Sequence, residues 1–140
     1  MANYGPASIK IDYDNGSGTP VDITAYVLTI NSVDVEQVLE EVRPFGASWD
    51  KYMPVGVGKM GPIELGGIFD DTAVSGPDAL FAGRIPEAPG TATRTLKVTW
   101  GGSKSTSVET HLGAYKRQVD KQGLTKYSVT LTPTGAVTEA

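Results

Sequence analysis

DVEQVLEEV, residues 34–42, is the stretch whose reading decides the fold. Val35, Val38, Leu39 and Val42 fall at helical spacing, and Asp34 with Gln37 imitates a capping box, so local rules read a helix here. Read as a strand, the same residues put Val38 and Val42 on one face with Glu36 and Glu40 among them, a poorer pattern. A helix would make the chain mixed, whereas a strand would make it all-β.

The flanks of this segment favour strands. Ile9, Ile11 and Tyr13 alternate with Ser8, Lys10 and Asp12, and DNGSG at 14–18 supplies a turn. In VDITAYVLTI, residues 21–30, Asp22 is placed to cap one helical turn before LTINSV extends as a strand. Leu96, Val98 and Trp100 alternate up to the Gly101–Gly102 break, and Tyr127, Val129 and Leu131 alternate until Pro133. Only PDALFAG at 77–83 reads as a short helix, with Pro77 suited to the first turn and Gly83 to the stop. The 17 Gly and 9 Pro show no repeat and accompany many Thr, Ser and Val, which again favours short strands and turns. With 140 residues, the chain is expected to form one domain, 1–140, of all-β class.

Composition also excludes functions. Hydrophobic residues make up 39% and charged residues 20%, with no cysteine, so disulfides and thiolate chemistry are absent. No apolar run is long enough for a membrane span, and MANYGPASIK lacks the hydrophobic stretch of a secretory signal, so the chain is expected to stay in solution. The net charge is −4, and Lys116–Arg117 is the only adjacent basic pair. Tight phosphate binding needs clustered cations that release counterions, and this chain has none.

GPIELGGIFDD, residues 61–71, runs an in-and-out apolar pattern into Asp70 and Asp71. A glycosidase would need a second carboxylate across a cleft, while acids leaving a strand commonly bond nearby amides, so Asp70 and Asp71 are expected to open a turn. The single histidine, His111, alternates with Thr110 and Leu112 as a solvent-facing strand residue, and no G-x-S-x-G elbow accompanies it. One histidine also excludes a multi-His metal site. DYDNGSG at 12–18 begins like a calcium loop but has Ser17 and Ile23 where glycine and glutamate are needed. GVGKMG at 56–61 lacks the GK[ST] ending of a P-loop. No enzyme activity, metal or cofactor is expected.

FGASWDKYMPVGVGKMGP, residues 45–62, is read as a long connection rich in Gly and Pro that carries Phe45, Trp49, Tyr52, Met53 and Met60. Either it folds over its own core, or these groups form a partner surface, since interfaces favour aromatics and Met.

FG, then W-x-x-Y-x-P-x-G, then a strand ending GGIFDD, then GPDALF, across Phe45 to Phe81, resembles the major tail tube proteins of long-tailed, non-contractile bacteriophages. YSVTLTPTGAVTE resembles their closing strand and tail, and VDITAYV an early segment. The resemblance implies a two-sheet β-sandwich with long connecting loops and a small flanking helix. It further implies hexameric rings stacked into a tube that passes DNA without holding it. It makes VEQVLEEVRPFG a strand, against local propensity, and makes 45–62 an arm packing on adjacent subunits through Phe45, Trp49, Tyr52, Met53 and Met60. Glu36, Glu40 and Glu41 become candidates for the lumen, although a solvated outer face accounts for them too. Implied partners are further copies of the chain and tail proteins such as a tape measure and a terminator. The implied location is the virion tail, assembled in the host cytoplasm. Two alternatives stay open: a tube protein of a contractile tail or secretion system, and a ligand-binding β-sandwich such as a carbohydrate-binding module using Trp49 and Trp100 as a sugar platform.

Overall fold

Alternating apolar residues become the strands of one large antiparallel sheet. The computed structural model of the chain describes residue 5 and residues 8–72, 76–119 and 123–140. Strand β1 (Lys10–Asp14) buries Ile11 and Tyr13. It turns through DNGSG into β2 (Pro20–Asp22), and Asp14 Oδ1 accepts the backbone N–H of Gly16 at 2.8 Å and of Gly18 at 3.1 Å. The look-alike of a calcium loop is thus a turn closed by its own carboxylate. Asp22 then accepts the N–H of Thr24 at 2.9 Å and opens a single 3₁₀ turn, Thr24–Tyr26. The hydrogen bonds from Thr24, side chain first, hold the Asp22 carboxyl below its usual range.

The remaining elements are β3 (Thr29–Ile30), β4 (Val35–Val42), β5 (Lys51–Met60), β6 (Ile63–Ile68), α1 (Pro77–Phe81), β7 (Arg94–Gly101), β8 (Lys104–Gln118), β9 (Lys126–Pro133) and β10 (Thr138–Glu139). The main sheet runs β2-β1-β7-β8-β9-β6-β3, with β10 added to β8. β8 is its spine. Its first half pairs with β7 and its second half with β9, and the register shifts between Leu112 and Ala114.

One five-residue helix cannot cover the inner face of such a sheet, yet Tyr13, Leu96, Leu65, Val129 and Leu131 are 0–1% exposed. The sheet therefore covers itself. Residues from both flanks of β8 form one core, and Ile9 and Ile11 from one end share a crevice with Val27, Thr29 and Ile30 from the other. Each fully buried Leu, Ile or Val in this all-β sandwich contributes about 1.5–3 kcal/mol. Helix α1 plugs one end. Pro77 occupies its first turn, Phe81 lies 5.0 Å from the Tyr13 ring, and Asp78 accepts from Arg117 Nε at 3.0 Å and from the Tyr115 hydroxyl at 3.1 Å.

Two local expectations need correction. Residues 34–42 are not the helix that their spacing suggests: Val35–Val42 is a strand, as the tail-tube resemblance implies. Residues 45–62 are not one long connection, because Lys51–Met60 is a ten-residue strand paired with β4. The breakers that argued for a loop sit where a strand tolerates them. Gln37 pairs with Gly58 and Leu39 with Pro54, so Val38 faces the three-residue bulge Val55–Gly56–Val57. Gly56 takes φ +78° there, open to glycine, and Pro54, beside the bulge, lacks only an amide at a ladder already interrupted.

Candidate functional site

β3 and β6 pair through Ile30↔Leu65, and five residues further along either strand β4 and β5 pair through Val35↔Met60. The two short ladders thus share one register. They form a single ribbon that leaves the body of the sheet and projects as a free hairpin. At the junction Asn31 stands in for the missing ladder: its Oδ1 accepts the N–H of Glu64 at 2.9 Å and its Nδ2 donates to the Pro62 carbonyl at 3.2 Å. Among the described residues the hairpin pairs only with itself, and at roughly 3.3 Å per residue its eight-residue strand reaches about 26 Å.

This ribbon carries exposed apolar side chains. Val35, Leu39, Tyr52, Met53, Val55 and Val57 are exposed, and beyond the strands Phe45 and Trp49 stand open to solvent at the tip. Alternation along β4 puts Leu39 with Glu41 on one face, opposite Pro54 and Tyr52, and Glu36, Val38, Glu40 and Val42 on the other. Both faces therefore mix apolar groups with acids. Glu36 meets Lys59 at 3.3 Å across the ladder, and Arg43 meets Asp50 at 3.6 Å near the tip. Such exposed pairs contribute little stability by themselves.

The predicted arm residues separate into two groups. Phe45, Trp49, Tyr52 and Met53 are exposed on the outer ribbon, whereas Met60, at its root, is partly buried against the core. Of the three acids, Glu36 and Glu40 share a face and Glu41 lies on the other. Val35, Leu39, Val55 and Val57 were missed as surface residues because helical spacing placed the first two in a core and a loop reading passed over the others.

The remaining candidates do not converge. Asp70 Oδ1 accepts the N–H of Thr72 at 2.7 Å and also the Thr72 hydroxyl, and these bonds hold its carboxyl below the ordinary range. Asp71 is exposed beside it. His111 lies between buried Thr110 and Leu112 with its own side chain 44% exposed, and its Nδ1 is 3.7 Å from Glu87. Trp100 is half-buried against the core and donates its indole N–H to Thr106 Oγ1 at 2.9 Å, so it shares no platform with Trp49 at the ribbon tip. Among the described residues no group of three or more His, Asp or Glu could hold a metal ion, and no helix is long and apolar enough to cross a membrane. A shallow groove of about 460 Å³ at the ribbon's root, lined by Leu28, Asn31, Glu64, Gly66, Lys126 and Tyr127 among others, brings together no catalytic constellation.

The whole architecture recurs in solved structures. The fold is shared with chains of solved baseplate, tail and virion particles. A chain of the anti-feeding prophage baseplate, solved by cryo-electron microscopy with 6-fold symmetrisation, matches with a TM-score of 0.75 at 11% identity, over 100% of this chain and 97% of that one. A chain from the tail of an empty gene transfer agent particle with C6 symmetry gives 0.71 at 19% identity, over 99% of both chains. A chain from the native gene transfer agent virion gives 0.74 at 14% identity, again over 99% of both. No family model and no curated protein matches the sequence. Identities this low carry the fold and its extent, which here is the full chain, ribbon included.

Proposed function

We propose that the chain is a structural tail protein of the tube type: a single β domain, residues 1–140, whose copies join into hexameric rings that stack into a tube for DNA transit. The observation that carries this reading is an exposed ribbon that, among the described residues, pairs only with itself. An isolated two-stranded hairpin is marginal in water, and two free edges with apolar groups on both faces invite pairing. On this reading a second copy of the same chain covers the ribbon. A contact between unlike surfaces of identical copies closes into rings or continues as a helix, which is the geometry of a tube. The 6-fold assemblies that contain the matching folds support the same reading.

On this reading Phe45, Trp49, Tyr52 and Met53 are the subunit-facing groups, and Met60 anchors the ribbon to its own body. Glu36, Glu40 and Glu41, in a chain of net charge −4, suit a lumen that passes DNA without retaining it. The protein then belongs to the virion tail, is assembled in the host cytoplasm alongside tape-measure and terminator proteins, and performs no catalysis. A tube of the contractile or secretion type is the alternative that the same ribbon and the match to a baseplate chain also fit.

Negative-stain microscopy of the purified chain over rising concentration tests the proposal. Rings or hollow cylinders are expected. A chain that stays monomeric at every concentration, alone and with sheared tails as seeds, overturns it.

A further inference from the structure

We propose that the β1–β2 turn is a self-modifying site, at which Asn15 loses its side-chain amide and becomes aspartate or isoaspartate. Gly16 follows Asn15, and without a Cβ it leaves its backbone nitrogen open to approach Asn15 Cγ. Any Asn–Gly pair has that much. The fold adds three groups around it. Asp14 Oδ1 lies 2.8 Å from the Gly16 nitrogen and already receives its N–H, and a second bond from the Gly18 N–H at 3.1 Å fixes the carboxylate in place. Asn15 Oδ1 accepts the Ser17 N–H at 3.0 Å and the Ser17 hydroxyl at 2.7 Å, so two donors point at the oxygen where negative charge would develop. The Arg94 guanidinium lies against the turn: a Cβ placed on Gly16 would be 2.8 Å from its Nη2. A general base, an oxyanion pocket and a cation thus surround one peptide bond.

The chemistry balances without an oxidant or reductant. The Gly16 nitrogen bonds to Asn15 Cγ as its proton passes to Asp14, and the charge gathered on Oδ1 is held by Ser17. Collapse of this intermediate breaks the Cγ–Nδ2 bond, and the leaving nitrogen takes the proton back and departs as ammonia. Water then opens the resulting cyclic imide at either carbonyl. One opening leaves an aspartate, and the other leaves an isoaspartate whose main chain is longer by one carbon. Gly16, Ser17 and Gly18 are exposed, so water has access throughout. Both products add a negative charge beside Arg94. The longer backbone also disturbs the bond from Asn15 N–H to the Thr19 carbonyl and the Asp14↔Pro20 pairing, which hold the edge strand β2.

The test separates this geometry from the bare dipeptide. The folded protein and the same protein denatured in guanidinium chloride are held at neutral pH, and the peptide containing Asn15 is followed by mass spectrometry and by isoaspartyl methyltransferase labelling. Asn31, before Ser32, serves as the internal reference. The folded chain is expected to react about tenfold faster than the denatured one, a modest share of what a positioned general base supplies. Ser17→Ala and Asp14→Ala, checked as folded by circular dichroism, should each bring the rate down toward the denatured value. If Asp14→Ala does not fold, Ser17→Ala decides alone. A folded rate equal to or below the denatured rate, or one unchanged in the folded variants, overturns the proposal.

Discussion

Replacing Trp49 with alanine separates a subunit-facing ribbon from an inert one. Trp49 is 85% exposed in the single chain, so truncating it removes almost no intrachain contact, and monomer stability should change by no more than about 0.5 kcal/mol. Covered by a neighbour, a tryptophan buries roughly 150–250 Å². At about 25 cal/mol per Å² that is roughly 4–6 kcal/mol, and with alanine keeping part of the contact about 3 kcal/mol remains as the loss. A loss of that size lowers each association constant more than 100-fold, so the concentration at which rings or tubes appear should rise by at least that factor (~2 logs). The assay is paired: thermal unfolding of the dispersed chain, and sedimentation of assembled material against concentration. Met60→Ala is the contrasting control. Met60 packs on the core from the root of the same ribbon, so its truncation should destabilise the monomer, by about 2 kcal/mol for a partly buried methionine. The reasoning fails if Trp49→Ala lowers monomer stability by several kcal/mol, or if it assembles at the parent's concentration.

Two further perturbations probe the body that holds the ribbon. Gly67 is buried on β6, and a Cβ there would fall 2.0 Å from the Tyr26 carbonyl oxygen, so Gly67→Ala must push the 3₁₀ turn off the sheet at a cost of roughly 2–4 kcal/mol, read from urea midpoints; a change within 0.5 kcal/mol, in that case (~no clash), would show that the close approach does not exist. Tyr127 donates to the same carbonyl at 2.6 Å, and burial holds its hydroxyl protonated well above the ordinary value of 10.0. Its pKa is raised in the folded state, so its contribution is complete below pH 10.0 and declines as pH rises beyond that, where the unfolded chain ionises first. Tyr127→Phe should lose about 1 kcal/mol near neutrality and show a shallower alkaline decline, and parallel decline of the two proteins would refute the assignment.

The body of the fold was legible because burial there is one-sided. Ile11 and Tyr13, Leu96 and Val98, Tyr127, Val129 and Leu131 each stand on a strand with a dry face and a wetter one, and period 2 records that asymmetry directly. Turn chemistry was equally readable, since Asp14, Asp22 and Asp70 bond amides two residues on, whatever the rest of the chain does. The closing of the sheet on itself was not readable, because it depends on β8 changing partners midway, from β7 to β9. Nor was the Lys51–Met60 strand, whose Pro54 and Gly56 signal a loop until their place at a bulge is known.

The ribbon was hardest to read for a reason that bears on what it does. Period 2 arises when a strand hides one face and wets the other. A strand destined for cover on both faces has no such need, and its apolar groups appear at any spacing, including one that imitates a helix. β4 and β5 have this character: Leu39 and Tyr52 stand on one face, Val42 and Met53 on the other, and all four are exposed. Had the ribbon been built to stay in water, its two faces would need polar groups, and Glu36–Lys59 and Arg43–Asp50 would be the rule along it. They are the minority. The failure of strand periodicity at 35–42, next to a body where it succeeds, therefore supports the proposed reading in which other subunits cover the ribbon.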